Sequence, residues 1–162
     1  MVGSCRSVCD DGYYTETAGA TMTTAEPHAS AAPGFALQLP CVPESVQHAR
    51  TLVSSALSTW GMQSAIADDG EIVVSELLAN VVQHTSTVIT TVSIERASPS
   101  CVRIEVPDTS PALPRMADLS SGAECGRGLR LVAGLSCRWG YDQHTWGKTT
   151  WAELNLRAER SQ

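Results

Sequence analysis

The change of apolar period near residue 85 constrains the fold more than any other feature of the chain. At residues 67–84, apolar side chains recur at the spacing of a helix with one buried face. Residues 88–95 and 102–106 instead alternate between apolar and polar side chains, as half-buried strands do. The segment Ala-Ser-Pro-Ser at 97–100 suits a turn between them. We therefore predict a long helix followed by an antiparallel hairpin.

The flanking segments continue this alternation of helices and strands. The further predicted elements lie at 35–40 (strand), 43–58 (helix), 129–135 (helix), 141–143 (strand) and 149–156 (strand). Residues 109–125 contain Pro, Ser and Gly without a period, so they are predicted to form a loop. The expected order, β-α-α-β-β-α-β-β, corresponds to an α+β fold. It is a two-layer α/β sandwich in which helices cover one face of a mostly antiparallel sheet.

The length of 162 residues suits one compact domain with a tail. Residues 1–33 are rich in Thr, Ala, Ser and Gly and show no periodicity, which predicts a disordered or flexible tail. An over-called translation start is the alternative for this segment. The folded domain is expected at residues 34–162.

Charge and hydropathy exclude several classes of partner. The formal net charge is −6 and the pI is about 5.1, which argues against direct nucleic-acid binding because phosphate contacts need clustered Lys and Arg. No apolar run approaches the roughly 20 residues that span a bilayer. The N-terminus lacks the apolar core of a signal peptide. We expect a soluble cytoplasmic protein without membrane contact.

The cysteines suggest neither a metal site nor a disulfide framework. The chain has six, and none forms a Cys-x-x-Cys pair or is followed by a His-rich segment. A domain of this size can also bury enough apolar surface to be stable without disulfide bonds. Free thiols in a reducing compartment are therefore expected.

Glu76 and Asn80 are the polar residues of the helix at 67–84 that most suggest a ligand. They are four residues apart, so their side chains share one helix face. Their oxygen atoms suit Mg²⁺, which keeps several waters and takes one or two protein ligands together with phosphates. An exposed pair on an ordinary amphipathic helix is the alternative.

Asp108 ends the second strand of the predicted hairpin and precedes the loop. A carboxylate there can accept a hydrogen bond from an exocyclic amine, which favours adenine over guanine at that edge. A simple turn, in which the Asp side chain bonds its own backbone two residues on, explains the segment Asp108-Thr-Ser-Pro equally well.

Two glycine-containing segments are further candidates. Gly126-Arg127-Gly128 opens the helix at 129–135, where free backbone N–H groups and the helix dipole attract phosphate. Gly147-Lys-Thr149 precedes the last strand and would bring the Thr149 hydroxyl beside Asp108 if the two strands are neighbours. A plain loop-to-helix junction and an ordinary hairpin turn are the alternatives.

Together these segments resemble the anti-sigma-factor serine/threonine kinases within the histidine-kinase-like (GHKL, Bergerat-fold) ATPase superfamily. The segment from Val74 to His84, with Glu76 and Asn80, is similar to the N box of that family. Asp108 falls at the adenine-reading Asp, Gly126-Arg-Gly-Leu129 at the second glycine box, and Gly147-Lys-Thr149 at the closing Thr motif. The run from Gly126 through Gly140 is especially similar to actinobacterial members.

The resemblance implies a role for each of these residues. Asn80 would hold Mg²⁺ and Glu76 would act as general base in transfer of a phosphoryl group from ATP. The expected nucleotide contacts are Asn80, Asp108, Gly126, Arg127, Gly128, Leu129 and Thr149. Of these, Arg127 is inferred from its charge rather than from the family.

The resemblance also implies partners. An ATP-dependent protein serine/threonine kinase of this type phosphorylates an anti-anti-sigma (STAS-domain) protein, often forms homodimers and can sequester a sigma factor. One motif departs from the pattern: the first glycine box, usually Asp-x-Gly-x-Gly, reads Asp108-Thr-Ser110-Pro-Ala112 here. A non-catalytic module that binds ATP and sequesters a partner is therefore the alternative function.

Overall fold

A computed structural model describes residues 33–62, 65–116 and 127–156 of the chain. The elements are β1 (Gly34–Pro40), α1 (Ser45–Thr59), α2 (Ala65–His84), β2 (Ile89–Ser98), β3 (Cys101–Asp108), α3 (Arg127–Leu135), β4 (Arg138–His144) and β5 (Gly147–Asn155). Their order is the predicted one. The tail expected at 1–33 lies outside the described residues except for Pro33.

The five strands form one sheet in the order β1-β2-β3-β5-β4, and every neighbouring pair is antiparallel. β3 is therefore central, and its end at Asp108 lies opposite the start of β5 at Lys148. β4 extends further than the predicted strand at 141–143. Its sequence, Arg-Trp-Gly-Tyr-Asp-Gln-His, is too polar to show a buried face, and pairing with β5 completes it.

All three helices pack on one face of the sheet, and the core lies between the two layers. Alternate side chains of β3 and β5 point into this core. Their buried apolar members are Val102, Ile104, Val106, Ala152 and Leu154. The apolar stripe of α2 meets them through Val73, Val74, Leu77, Leu78 and Val81. The two-layer α+β architecture predicted from the periods is thus confirmed. None of the described helices has the length and apolarity needed to cross a bilayer.

The other face of the sheet is polar and centres on Arg103. Its guanidinium meets Glu105 at 2.6 Å, Glu153 at 3.0 Å and Asp142 at 3.6 Å, and lies 4.0 Å above the ring centroid of Trp151. Burial by itself would lower the pKa of Arg103, but the hydrogen bonds and charges of Glu105 and Glu153 raise it above its usual value. This face is held together by ion pairs rather than by apolar packing.

Candidate functional site

α2 positions Glu76 and Asn80 at the margin of the core. The buried stripe of the helix fixes its rotation, and both polar side chains emerge beside that stripe, half-buried. Neither makes a hydrogen bond to another described residue. A half-buried carboxylate and amide that no described residue hydrogen-bonds can offer these atoms to a ligand.

The start of α3 lies against Glu76. A side chain at Gly128 would overlap the Glu76 carboxylate, so the Glu76 side chain would have to shift if position 128 carried a Cβ. Arg127, the first residue of α3, is exposed, whereas Leu129 is buried. The first described residues of α3 therefore lie next to Glu76. Gly126 lies outside the described residues.

Asp108 is buried at the end of β3 and faces the helices. Its Oδ1 accepts a hydrogen bond from the Ser110 backbone N–H at 2.8 Å, which is the predicted local turn. The same oxygen is 2.8 Å from the Lys148 ammonium, and this ammonium also donates to the Ser110 carbonyl at 3.3 Å. No described residue hydrogen-bonds the second carboxylate oxygen, Oδ2. The carboxylate thus keeps one acceptor atom for a ligand.

The expected place of the Thr149 hydroxyl beside Asp108 is wrong. β3 and β5 are neighbours, as that expectation required, but Thr149 lies opposite Pro107 and its hydroxyl is 3.0 Å from His144 Nε2. Successive strand residues point to opposite faces, and those of β5 that face Asp108 and the helices are Lys148 and Thr150, both buried. Ala152 and Leu154, farther along β5, are apolar at alternate positions, and extending this alternation backwards predicts that Thr150 faces the helices.

A chain of threonine hydroxyls connects α2 to the Asp108 end of the sheet. The Thr85 hydroxyl is 2.8 Å from both the Val81 carbonyl and the Thr87 hydroxyl, and Thr87 is 3.1 Å from the Thr109 hydroxyl. The Thr109 backbone N–H also donates to the Thr87 hydroxyl at 3.0 Å. Val81 follows Asn80 in sequence and Thr109 follows Asp108. Three consecutive hydrogen bonds therefore link the neighbours of the two predicted ligand contacts, which lie at the same end of the molecule.

Gly147 makes the approach of β5 to Asp108 possible. Its φ is +150°, and a side chain there would overlap the Asp108 carbonyl oxygen. The start of β5 thus packs directly on the backbone of Asp108, and Lys148 binds the side chain of the same residue. Gly147 and Lys148 both contact Asp108 and therefore join the candidate site, although sequence reasoning gave neither a specific role.

Cys41, which follows β1, also lies close to Asp108. Burial raises the pKa of its thiol, and the negative charge of Asp108 raises it further. Among the described cysteines, Cys41, Cys101 and Cys137 form no disulfide. Cys41 adds a weakly polar group to the base of the site.

A second cluster of chemically reactive side chains lies on the polar face of the sheet. Ligand atoms of Cys101, Cys137 and Glu153 lie within 4.8 Å of one another. The Glu153 carboxylate, however, is already bound by Arg103 at 3.0 Å and Arg138 at 3.6 Å. A cation at this point would displace two guanidinium groups, so we assign the cluster to the ion-pair network.

The groups on the helical side fit a purine nucleotide with Mg²⁺. No described residue hydrogen-bonds Asp108 Oδ2 or the Asn80 amide, so the first can accept from an exocyclic amine and the second can take part in binding a metal. The glycine contact between α3 and α2 leaves helix N–H groups beside Glu76, where a phosphate would be stabilised. Of the predicted contacts, Thr149 lies opposite Pro107 and hydrogen-bonds His144, and Gly126 is outside the described residues.

Comparison with known proteins agrees with this architecture. Residues 39–154 match the family model described as histidine kinase-like ATPase domain. The fold is similar to that of the RsbU and RsbW domains of Rv1364c from Mycobacterium tuberculosis, with a TM-score of 0.59 and 18% identity over 79% of this chain and 34% of that chain. The present chain thus corresponds to about a third of that structure.

A second structure, the histidine kinase domain of the blue-light activated histidine kinase from Erythrobacter litoralis EL346, has a TM-score of 0.44 and 19% identity over 73% of this chain and 62% of that chain. Among curated protein sequences, none matches significantly. The family match and the first structure confirm the expected histidine-kinase-like, or Bergerat, fold. Because the matched residues 39–154 make up well over half of its length, the chain belongs to the histidine kinase-like ATPase domain family.

Proposed function

We propose that the chain is an ATP-dependent protein serine/threonine kinase that phosphorylates an anti-anti-sigma (STAS-domain) protein and so regulates a sigma factor by partner switching. One observation carries the proposal: α2 holds Glu76 and Asn80, which no described residue hydrogen-bonds through their side chains, between the Gly128 contact and the threonine chain that leads to Asp108. In this proposal, the base-reading end and the phosphate end of the nucleotide site lie along α2.

Each residue has a separate task in this proposal. Asp108 Oδ2 accepts the exocyclic amine of adenine, and the start of α3 binds the phosphates through backbone N–H groups. Asn80 takes part in holding Mg²⁺. When bound, Mg·ATP supplies the transferable phosphoryl group and the metal charge that offsets negative charge in the transition state. Glu76 accepts the proton of the attacking Ser or Thr hydroxyl.

The choice of partner rests on the sequence resemblance to the anti-sigma-factor kinases. The structural similarity to a protein that contains an RsbW domain concerns the fold alone. Cytoplasmic location, homodimer formation and contact with a sigma factor are part of the same proposal.

A second candidate function is a non-catalytic module that binds ATP and sequesters its partner. The loop after Asp108 favours it, because side chains take the place of the two glycines of the usual motif. The Ser110 hydroxyl accepts a hydrogen bond from the Ala112 N–H at 3.2 Å, and Pro111 fixes the backbone between them. A loop built in this way closes over phosphates less readily than one with two glycines.

Replacing Glu76 tests which function is correct. With radiolabelled ATP and the STAS partner, Glu76→Gln should reduce phosphoryl transfer by about 10²–10⁴-fold, because the general base is lost. ATP affinity should change little, since the amide has the same shape. Glu71→Gln is the matched control, because Glu71 lies on α2 five residues earlier and on another side of the helix.

Three outcomes separate the candidates. Loss of transfer with intact ATP binding in Glu76→Gln alone supports the kinase. ATP binding by the wild type without transfer to any STAS partner favours the binding module. No change in apparent melting temperature with saturating Mg·ATP would exclude both, since a ligand of the folded state must stabilise it.

A further inference from the structure

Lys148 is an unusual residue in this chain. The sequence contains eleven lysine and arginine residues, and Lys148 is the one lysine among them. It is also buried, with 6% of its surface exposed. Lysine is almost never buried to this extent unless it is paired. Its place in the core therefore needs a physical reason.

Two contacts hold the Lys148 ammonium, and both lead to the loop after β3. One joins Nζ to Asp108 Oδ1 at 2.8 Å, and the other joins it to the Ser110 carbonyl at 3.3 Å. Since the Ser110 N–H also donates to Oδ1 at 2.8 Å, the ammonium, the carboxylate oxygen and the Ser110 peptide groups form a closed ring. The ring fixes the rotamer of Asp108 and determines which of its two oxygens is occupied.

Fold stability alone does not explain this arrangement. Removing two charges from water costs several kcal/mol per ion in effective terms, and a buried ion pair recovers that cost only with good geometry, so apolar replacements are often neutral or stabilising. On the same strand, the positions that alternate with Lys148 on the helical side are Thr150, Ala152 and Leu154, which need no charged partner. A lysine at this position thus points to a role beyond folding.

We propose that Lys148 is a positioning residue for base recognition: it holds Oδ1 of Asp108 so that Oδ2 is presented to the exocyclic amine of adenine. This inference rests on the proposed nucleotide site and identifies what sets its base selectivity. The compact ammonium serves this purpose better than a guanidinium, because it is a point charge that binds one oxygen and leaves the other free. Arginine would tend to bind both oxygens at once.

A pair of ligands that differ by one amine group tests the proposal on the full chain. ATP carries the exocyclic amine and purine riboside triphosphate lacks it, while the phosphates are identical. The wild type should prefer ATP by about 10–100-fold, the size expected for a hydrogen bond to a charged group. Lys148→Met should bring this preference down to about threefold or less, with the affinity for purine riboside triphosphate nearly unchanged. Isothermal titration gives all four dissociation constants.

Two further variants make the result unambiguous. Lys148→Gln removes the charge but keeps a polar head, so it carries the test if the methionine variant does not fold. Arg138→Met is the matched control, because it removes one positive charge from the opposite face, where its side chain is 55% exposed. It should leave the ATP preference at the wild-type value.

The outcomes distinguish this inference from the function on which it rests. If the wild type binds neither triphosphate, the proposed function fails and the inference fails with it. If the wild type prefers ATP and the Lys148 variants keep that preference, the inference alone is wrong and Lys148 is structural. Tighter binding of ATP by the Lys148 variants would also overturn it, because the ammonium would then compete with the base.

Discussion

Lys148 and Arg103 lie on adjacent strands of one sheet and both meet carboxylates, yet their surroundings differ. Arg103 is on the polar face, where Glu105, Glu153 and Asp142 share its charge. Lys148 is on the helical face, where a single carboxylate pairs with it and both side chains are nearly inaccessible, at 7% and 3% exposure. The first arrangement is redundant and partly hydrated, and the second has no substitute partner among the described residues.

This contrast separates two uses of charge in a small domain. A redundant network loses little when one member is removed, because the remaining groups and water compensate. A single buried pair has no such compensation, and removal of one partner leaves the other charge uncompensated. The buried Asp108–Lys148 pair, which has the larger desolvation cost, lies at the strand end where the nucleotide site is proposed. Three predictions test the contrast between the two faces.

The largest effect is expected at Gly147, which packs on the backbone of Asp108. Gly147→Ala should lower the free energy of unfolding by at least about 4 kcal/mol, since strain at φ +150° and overlap with the Asp108 carbonyl both oppose the native backbone. Gly140→Ala is the matched control on β4, where the new Cβ would meet the edge of the Trp151 ring at 2.9 Å. A side chain can shift, so the expected loss is about 1 kcal/mol. Urea unfolding measures both, and equal losses would contradict this account.

An intermediate effect is expected when one carboxylate is neutralised on each face. Asp108→Asn should cost about 3 kcal/mol, because Lys148 is left without a negative partner. Glu153→Gln should cost less than about 1 kcal/mol, because Glu105 and Asp142 remain near Arg103. Asp108→Asn should also abolish stabilisation by Mg·ATP in a thermal-shift titration, whereas Glu153→Gln should retain it. The reverse order of costs would refute the contrast between the faces.

The smallest effect concerns one thiol on each side. Burial raises the pKa of Cys41 and of Cys137, and the nearby charges of Asp108 and Glu153, respectively, raise them further. A raised pKa means a smaller thiolate fraction at pH 8.5, so both thiols should react with iodoacetamide more slowly in the folded than in the unfolded chain. Asp108→Asn should accelerate Cys41 alone by about twofold, and Glu153→Gln should accelerate Cys137 alone by a similar factor.

Peptide-resolved mass spectrometry follows each cysteine separately in this experiment. Raising the pH should increase both folded-state rates until it passes the raised pKa values, where the rates level off. Acceleration of both thiols by either substitution would show that the variants loosen the fold rather than change a local charge.

The sequence was sufficient for the architecture because the buried faces are strongly periodic. The helical stripe of α2 and the alternation in β2 and β3 place these elements within a few residues of their observed ends. β4 was underestimated because an edge strand with the sequence Arg138–His144 has little apolar surface to reveal it. Its extent depends on the ladder with β5, which is a tertiary property.

The candidate site was predictable only in part, for a similar reason. Glu76 and Asn80 were identified by helical spacing, which is local. The Asp108–Lys148 pair joins residues 40 positions apart, and it exists because β3 and β5 pair in one particular register. Motif matching placed Thr149 on the face of β5 that carries Asp108, whereas in the structure Thr150 lies on that face. An error of one residue along a strand turns a side chain to the opposite face of the sheet.

The ring at Ser110 also restrains the start of the connection between β3 and α3. Thr109, the first residue of this connection, is hydrogen-bonded to Thr87. Ser110, the second, is hydrogen-bonded to both members of the Asp108–Lys148 pair. The two residues that follow Asp108 are therefore held in place before any ligand arrives. The purine end of the proposed site would behave as a rigid template, so that base selectivity would not depend on a rearrangement of Thr109 or Ser110.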